Sequence, residues 1–221
     1  MTFYKFLDIF SYLIPIILSL GVAVGLYYYR NLNKEYRYIL YYVVLCLVTD
    51  VTCRIVGTLF KNNLLFIVLF SLFELIFFTL FYQACLFKRK IMRYNIIAFV
   101  IAVYICWEIS TLWSVNPLEF QTYSRVFSSF LIILMSINFL TERISNEKQN
   151  NNLVQLNFIF ILFFSLHLIF YLPINFLINV PSSLKFYFWS ANILIIVIFY
   201  IFLSRLIWKN GLTQKQLQSG L

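Results

Sequence analysis

Seven apolar stretches follow one another along the chain, each of about twenty residues, the length that carries a helix across the hydrocarbon core of a bilayer. Their approximate limits are 8–29, 39–60, 64–87, 95–113, 124–141, 154–175 and 186–208. The runs are continuously apolar and do not alternate with period two, so they read as helices and not as barrel strands. Short polar breaks separate them, among them Asn62-Asn63 after Lys61, Asn116-Pro117, and Pro181-Ser182-Ser183. The one sizeable hydrophilic connection runs from Thr141 to Asn152. Tyr27 to Tyr29, Tyr38, Tyr94 and Trp208 gather at one set of span ends, and Trp113, Tyr123, Tyr187 and Trp189 at the other. That is the aromatic belt expected at two membrane interfaces. Pro15 and Pro173 fall inside the first and sixth spans and predict kinks. The expected fold class is all-α: one polytopic membrane domain over 1–221 with seven transmembrane helices.

Composition agrees and narrows the function classes. The chain is 62% hydrophobic and 11% charged, against about 25% charged in a soluble domain. Seven crossings of about 22 residues occupy about 154 residues. The remainder is too short for a separate soluble kinase, nuclease or nucleotide-binding domain.

Charge placement sets the orientation. Arg30, Lys34, Arg37, Lys88, Arg89, Lys90, Arg93, Arg143, Lys148, Arg205, Lys209 and Lys215 all fall on one side of the seven-span scheme. Lys5, Lys61 and Lys185 fall on the other, and Arg54 and Arg125 lie within spans. This asymmetry puts the N-terminus outside and the C-terminus in the cytoplasm. The net charge of +9 then reads as topology determinants and anionic-lipid contacts, and not as a nucleic-acid surface. The first apolar run exceeds a signal-peptide core and ends on Arg30, so it is expected to stay uncleaved. Cys46, Cys53, Cys85 and Cys106 lie inside spans and read as packing thiols, not a disulfide framework.

The informative residues are the ionisable ones at bilayer depth, where a charge costs a few kcal/mol or more. Asp50 sits about 18 Å from the start of its span by helical rise, and Arg54 follows it at i+4 on the same face, where the two partly neutralise each other. Glu74 lies about 16 Å from the outer turn, with Ser71 and Tyr82 on its side. Glu108 stands near the outer end of span four, close to Tyr104 and Thr111. Arg125 opens span five, and Ser129 and Ser136 continue its face. His167 has Tyr171 and Asn175 at i+4 and i+8, and Asn192 lies in the outer half of span seven. Lipid satisfies none of these groups, so they are expected to converge inside the bundle as a ligand-binding site or polar network. Gly21 and Gly25 form a G-x-x-x-G pair, expected to pack within the molecule.

The same inventory excludes several chemistries. A single histidine argues against a His-based zinc hydrolase or a bis-histidine haem site, and neither a metal nor any other cofactor is expected. A retinal Schiff base needs a buried lysine, whereas Lys185 and Lys209 stand at the ends of span seven. No phosphate loop or nucleophile elbow is present. An intramembrane acid–base enzyme would have to work with Asp50, Glu74 or His167, and ranks behind the non-enzymatic readings.

On Asn62-Asn63-Leu64 leading to Glu74, and on Tyr123-Ser124-Arg125 opening span five, the whole chain resembles small seven-helix inner-membrane proteins of unknown function from Bacteroidota-type bacteria. The layout also resembles the seven-helix sensory modules that precede the catalytic domains of bacterial histidine kinases, although no kinase follows before Leu221. The second resemblance implies a receptor or sensor-like subunit with an outward-facing polar site, acting through a separate partner protein. A small permease, lipid-handling protein or proton-coupled carrier is the alternative, and a structural or assembly subunit the third. The associates expected are the lipid bilayer and that partner protein, and nucleic acid is not among them.

Overall fold

The computed structural model describes residues 9–60, 62–112, 122–144, 151–172 and 182–219. Lys5, Lys61, Trp113, Asn116, Pro117, Lys148, Pro173, Asn175 and Pro181 lie outside the described residues, as do the side chains of Ser182, Ser183 and Lys185. Every regular element described is helical: α1 (Leu13–Tyr27), a 3₁₀ turn at Tyr29–Asn31, α2 (Lys34–Phe60), α3 (Leu64–Phe81), α4 (Met92–Thr111), α5 (Ser124–Ile144), α6 (Asn151–Tyr171) and α7 (Ser182–Ser219). The protein is therefore all-α, and among the described residues seven helices are long and apolar enough to cross a membrane.

The helices match the apolar runs but stop where the backbone stops, not where hydropathy does. α2 begins at Lys34, ahead of the expected 39, because Tyr36, Ile39 and Leu40 already pack inward while Lys34 stays exposed. α7 continues past Trp208 to Ser219, through Lys, Gln and Leu residues that favour helix in water as well as in lipid. α3 ends differently. It runs into a single π-helical turn, Tyr82–Leu86, closed by the Phe87 amide donating to the Tyr82 carbonyl at 2.8 Å. The Gln83 amide then clamps the following turn: its nitrogen donates to the Ile91 carbonyl (2.9 Å) and to Asn95 Oδ1 (3.1 Å), while its oxygen accepts the Ile91 N–H (3.0 Å).

Two compact units divide the chain, Met1–Ile55 with Pro181–Leu221, and Val56–Val180. In the first, α1 lies along α7 and meets α2 through its glycines. A Cβ at Gly21 would fall 2.3 Å from Ser204 Oγ of α7, and one at Gly25 would fall 2.2 Å from Leu40 Cδ1 of α2. The small-residue pair thus permits close helix approach within the molecule. Tyr42 and Phe199 close the α2–α7 seam edge to face.

In the second unit α5 is the central helix, touching α3, α4 and α6. Its buried face carries Ser124, Ser128, Leu131, Ile132, Met135, Ser136 and Phe139, a helical period that starts and ends around serines. The four cysteines form no disulfide among the described residues: Cys46 is buried, and Cys106 is exposed on an outward apolar face of α4.

Candidate functional site

One face of α3 and the π-helical turn that continues it reads Ser71, Glu74, Phe78, Tyr82, and one face of α6 reads Asn157, Phe160, Phe164, His167; all eight are buried. The intervals of three, four, seven, ten and eleven residues keep each set on a single helical stripe. By helical rise His167 stands about 15 Å from Asn157, and Tyr82 about 12 Å from Glu74. With α5 these stripes build a core of three tiers, polar at both ends and aromatic between.

The first tier centres on Arg125 in the opening turn of α5. Its guanidinium donates to the Tyr171 hydroxyl and lies over two rings, 4.7 Å from the centroid of Tyr171 and 5.2 Å from that of Phe70. Cation–π contact of this kind gains strength where water is excluded. His167, one turn from Tyr171, meets that ring edge-on at 5.2 Å and the Phe163 ring at 4.3 Å. Glu108 of α4 reaches the same end of α5: its Oε2 accepts the Ser124 hydroxyl at 2.7 Å. There the carboxylate also faces the positive end of the α5 dipole. Glu74 is buried on α3 one turn from Phe70.

Unused hydrogen-bonding capacity concentrates here. Glu108, whose carboxylate also interacts with the Tyr104 hydroxyl, keeps Oε1 enclosed, and His167 Nε2 is enclosed with no hydrogen-bond partner among the described residues; the two side chains are only 4% and 5% exposed. Thr122 Oγ1, just ahead of α5, is in the same condition. Each such atom costs about 1–3 kcal/mol if nothing meets it, so these positions are where a polar ligand or water gains most.

The middle tier is aromatic. Phe78 contacts Phe160 and Phe164 edge to face, both at 5.1 Å, and Phe81 meets Phe160 at 6.2 Å. Beyond it lies the third tier, formed by Tyr82 in the π-helical turn that continues α3, Ser136 of α5 and Asn157 of α6, all fully buried. The Tyr82 hydroxyl donates to Asn157 Oδ1 at 2.7 Å and lies 2.5 Å from Ser136 Oγ. Since its single proton goes to Asn157, the serine is the donor of the second bond. Asn157 in turn donates to the Leu153 carbonyl at 2.9 Å.

The remaining expected site residues belong to the first unit. Arg54 Nε donates to Asp50 Oδ2 at 2.8 Å, the i,i+4 pair that the spacing predicts. Ser11 engages both remaining nitrogens: Nη1 donates to Oγ (3.1 Å) and Nη2 to the carbonyl (2.8 Å), with Nη2 also reaching Asp50 Oδ1 at 3.4 Å. That carbonyl is available because the residue four positions on is Pro15, which has no N–H to return. The helical path is accordingly interrupted at Tyr12, whose ring lies 4.9 Å from the Arg54 guanidinium carbon. Asn192 is buried on α7, and its Oδ1 has no hydrogen-bond partner among the described residues.

Of the residues singled out from sequence, Arg125 is linked to Glu108 through its neighbour Ser124 and to His167 through Tyr171, while Asp50 and Arg54 pair with each other. Asn157 and Ser11 were not anticipated. Both were accessible in principle, Asn157 as the residue ten before His167 on one stripe and Ser11 as the residue four before a proline. No protein-family model, curated protein or solved structure matches the chain.

Proposed function

We propose that the chain is a multi-pass protein of the bacterial cytoplasmic membrane, N-terminus outside and C-terminus inside, that acts as a receptor or sensor-like subunit through a separate partner. The observation that carries this reading is the tiering of the second unit. The outer tier holds a buried carboxylate oxygen and a buried imidazole nitrogen with capacity to spare, beside an arginine held between aromatic rings. A small polar ligand arriving from outside gains hydrogen bonds at those atoms that lipid cannot supply.

The aromatic tier lies between that site and the inner polar tier, so displacement of helices, and not passage of cargo, is what crosses it. Tyr82 is bonded to both α5 and α6, and a relative shift of these helices forces at least one of its bonds to break or re-form. It also begins the π-helical turn from which Gln83 grips the connection bearing Lys88, Arg89 and Lys90. The output then leaves through that basic connection.

Cross-linking in native membranes followed by affinity purification of the full chain tests the reading. A partner protein recovered in comparable amount, and lost on K88Q/R89Q/K90Q, is the expected result. Stable protein that repeatedly purifies alone removes the output and with it the proposal.

A proton-coupled carrier is the second reading, favoured by the polar Tyr82–Ser136–Asn157 tier beyond the aromatic one. It requires flux in proteoliposomes that falls with Glu74→Gln and Asp50→Asn. Flux indifferent to both substitutions refutes it.

A further inference from the structure

The part of α7 beyond Trp208 does not stand free. Gly211 packs on Tyr28, so tightly that a Cβ there would lie 2.5 Å from the tyrosine Cβ. The Asn33 amide donates to Asn210 Oδ1 at 3.1 Å, and Asn31 Nδ2 donates to Gln218 Oε1 at 2.6 Å. Three contacts thus pin the helix along the 28–33 turn that joins α1 to α2. This docking is a tertiary event: it bonds Asn33, the residue before Lys34, to Asn210, the residue after Lys209, and sets Lys215 beside Tyr27.

We propose that this docked corner is a headgroup site for an anionic phospholipid, with Arg30, Lys34, Lys209 and Lys215 supplying the cations. All four are exposed, and the only acidic residue of the segments concerned, 26–37 and 205–218, is Glu35. Charge alone fits an acidic protein segment equally well. Two observations select the lipid. Leu26, Tyr27 and Trp208, neighbours in sequence of the Tyr28–Gly211 contact, are exposed, the apolar and aromatic setting of a bilayer interface. And Lys215, though about 10 Å of helix beyond Trp208, sends its ammonium back to Tyr27 at the end of α1, 3.4 Å from the hydroxyl and 5.3 Å from the ring centroid. That turn holds the ammonium at the end of α1, where headgroups lie, instead of further along the helix in water. The inference holds whichever leaflet this end faces, and so stands or falls separately from the receptor reading.

The test uses the purified full chain in a neutral detergent, titrated with phosphatidylglycerol or phosphatidylcholine and followed by thermal unfolding. Phosphatidylglycerol at saturation is expected to raise Tm by about 5 °C, and phosphatidylcholine to leave it unchanged. R30Q/K209Q/K215Q abolishes the rise, while K88Q/R89Q/K90Q, which removes equal charge elsewhere, preserves it. Gly211→Leu keeps every charge but displaces the helix, and also abolishes the rise. If that variant does not fold, retention of phosphatidylglycerol by the two triple variants in native mass spectrometry decides in its place. No rise with phosphatidylglycerol, or equal loss in both triple variants, overturns the proposal. So does a rise produced by an acidic peptide such as polyglutamate and not by the lipid.

Discussion

Tyr82 places one hydroxyl between Ser136 and Asn157, and its removal leaves both partners enclosed with fewer bonds. Tyr82→Phe is expected to lower stability by about 1–2 kcal/mol, the range for a buried interhelical bond in a membrane protein. Ser136→Ala costs less, because Tyr82 keeps its bond to Asn157. Reversible unfolding in bicelles measures both, and equal losses would contradict the assignment of donor and acceptor. The glycines offer a sharper contrast. At Gly57 an added Cβ meets nothing nearer than 3.7 Å, so Gly57→Ala is neutral or gains up to about 1 kcal/mol of helix propensity. Gly211→Ala drives a methyl into the stem of Tyr28, which cannot rotate aside, and loses about 1–3 kcal/mol. The same unfolding measurement applied to the pair reverses that order only if the docking of α7 is wrong.

At the scale of elements, breaks in helices are used and not merely tolerated. Pro15 leaves the Ser11 carbonyl without its helical donor, and Arg54 takes it. Pro15→Ala restores the competing N–H, so Arg54→Lys is expected to cost less in that background than in the parent. A double-mutant cycle with a coupling of about 0.5–1.5 kcal/mol is the predicted outcome. Additive effects would mean that the proline and the arginine act independently. The π-helical turn at Tyr82–Leu86 is the second such break. It brings Tyr82 into the core and Gln83 onto the Ile91 turn within two successive residues.

For the molecule as a whole, the property to test is direction across the membrane. The charge asymmetry predicts that a membrane-impermeant maleimide added to intact spheroplasts labels Asn62→Cys but not Asn33→Cys or Thr213→Cys, in a background with the four native cysteines replaced by serine or alanine. Inverted vesicles should reverse the pattern. Labelling of Asn33→Cys from outside would overturn the orientation, and with it the receptor reading, since the outer tier would then face the cytoplasm. The lipid site would be unaffected.

How much was legible from sequence follows from which interactions are local. Seven apolar runs specify seven helices because each backbone group in lipid must bond within its own segment, a constraint that acts residue by residue along the chain. The Asp50–Arg54 pair was legible for the same reason, as neighbours one turn apart. Helix ends were less so, because hydropathy marks where lipid stops and α7 remains a helix beyond it. Only the tertiary structure decided which stripe faces which. It sent Tyr82 to Ser136 and Asn157, Glu108 to Ser124, Arg125 to Tyr171 and Arg54 to Ser11. In lipid, one apolar face is as good as another for burial. What selects the partners is close packing of small residues and the pairing of a few polar groups, which a one-dimensional pattern does not encode.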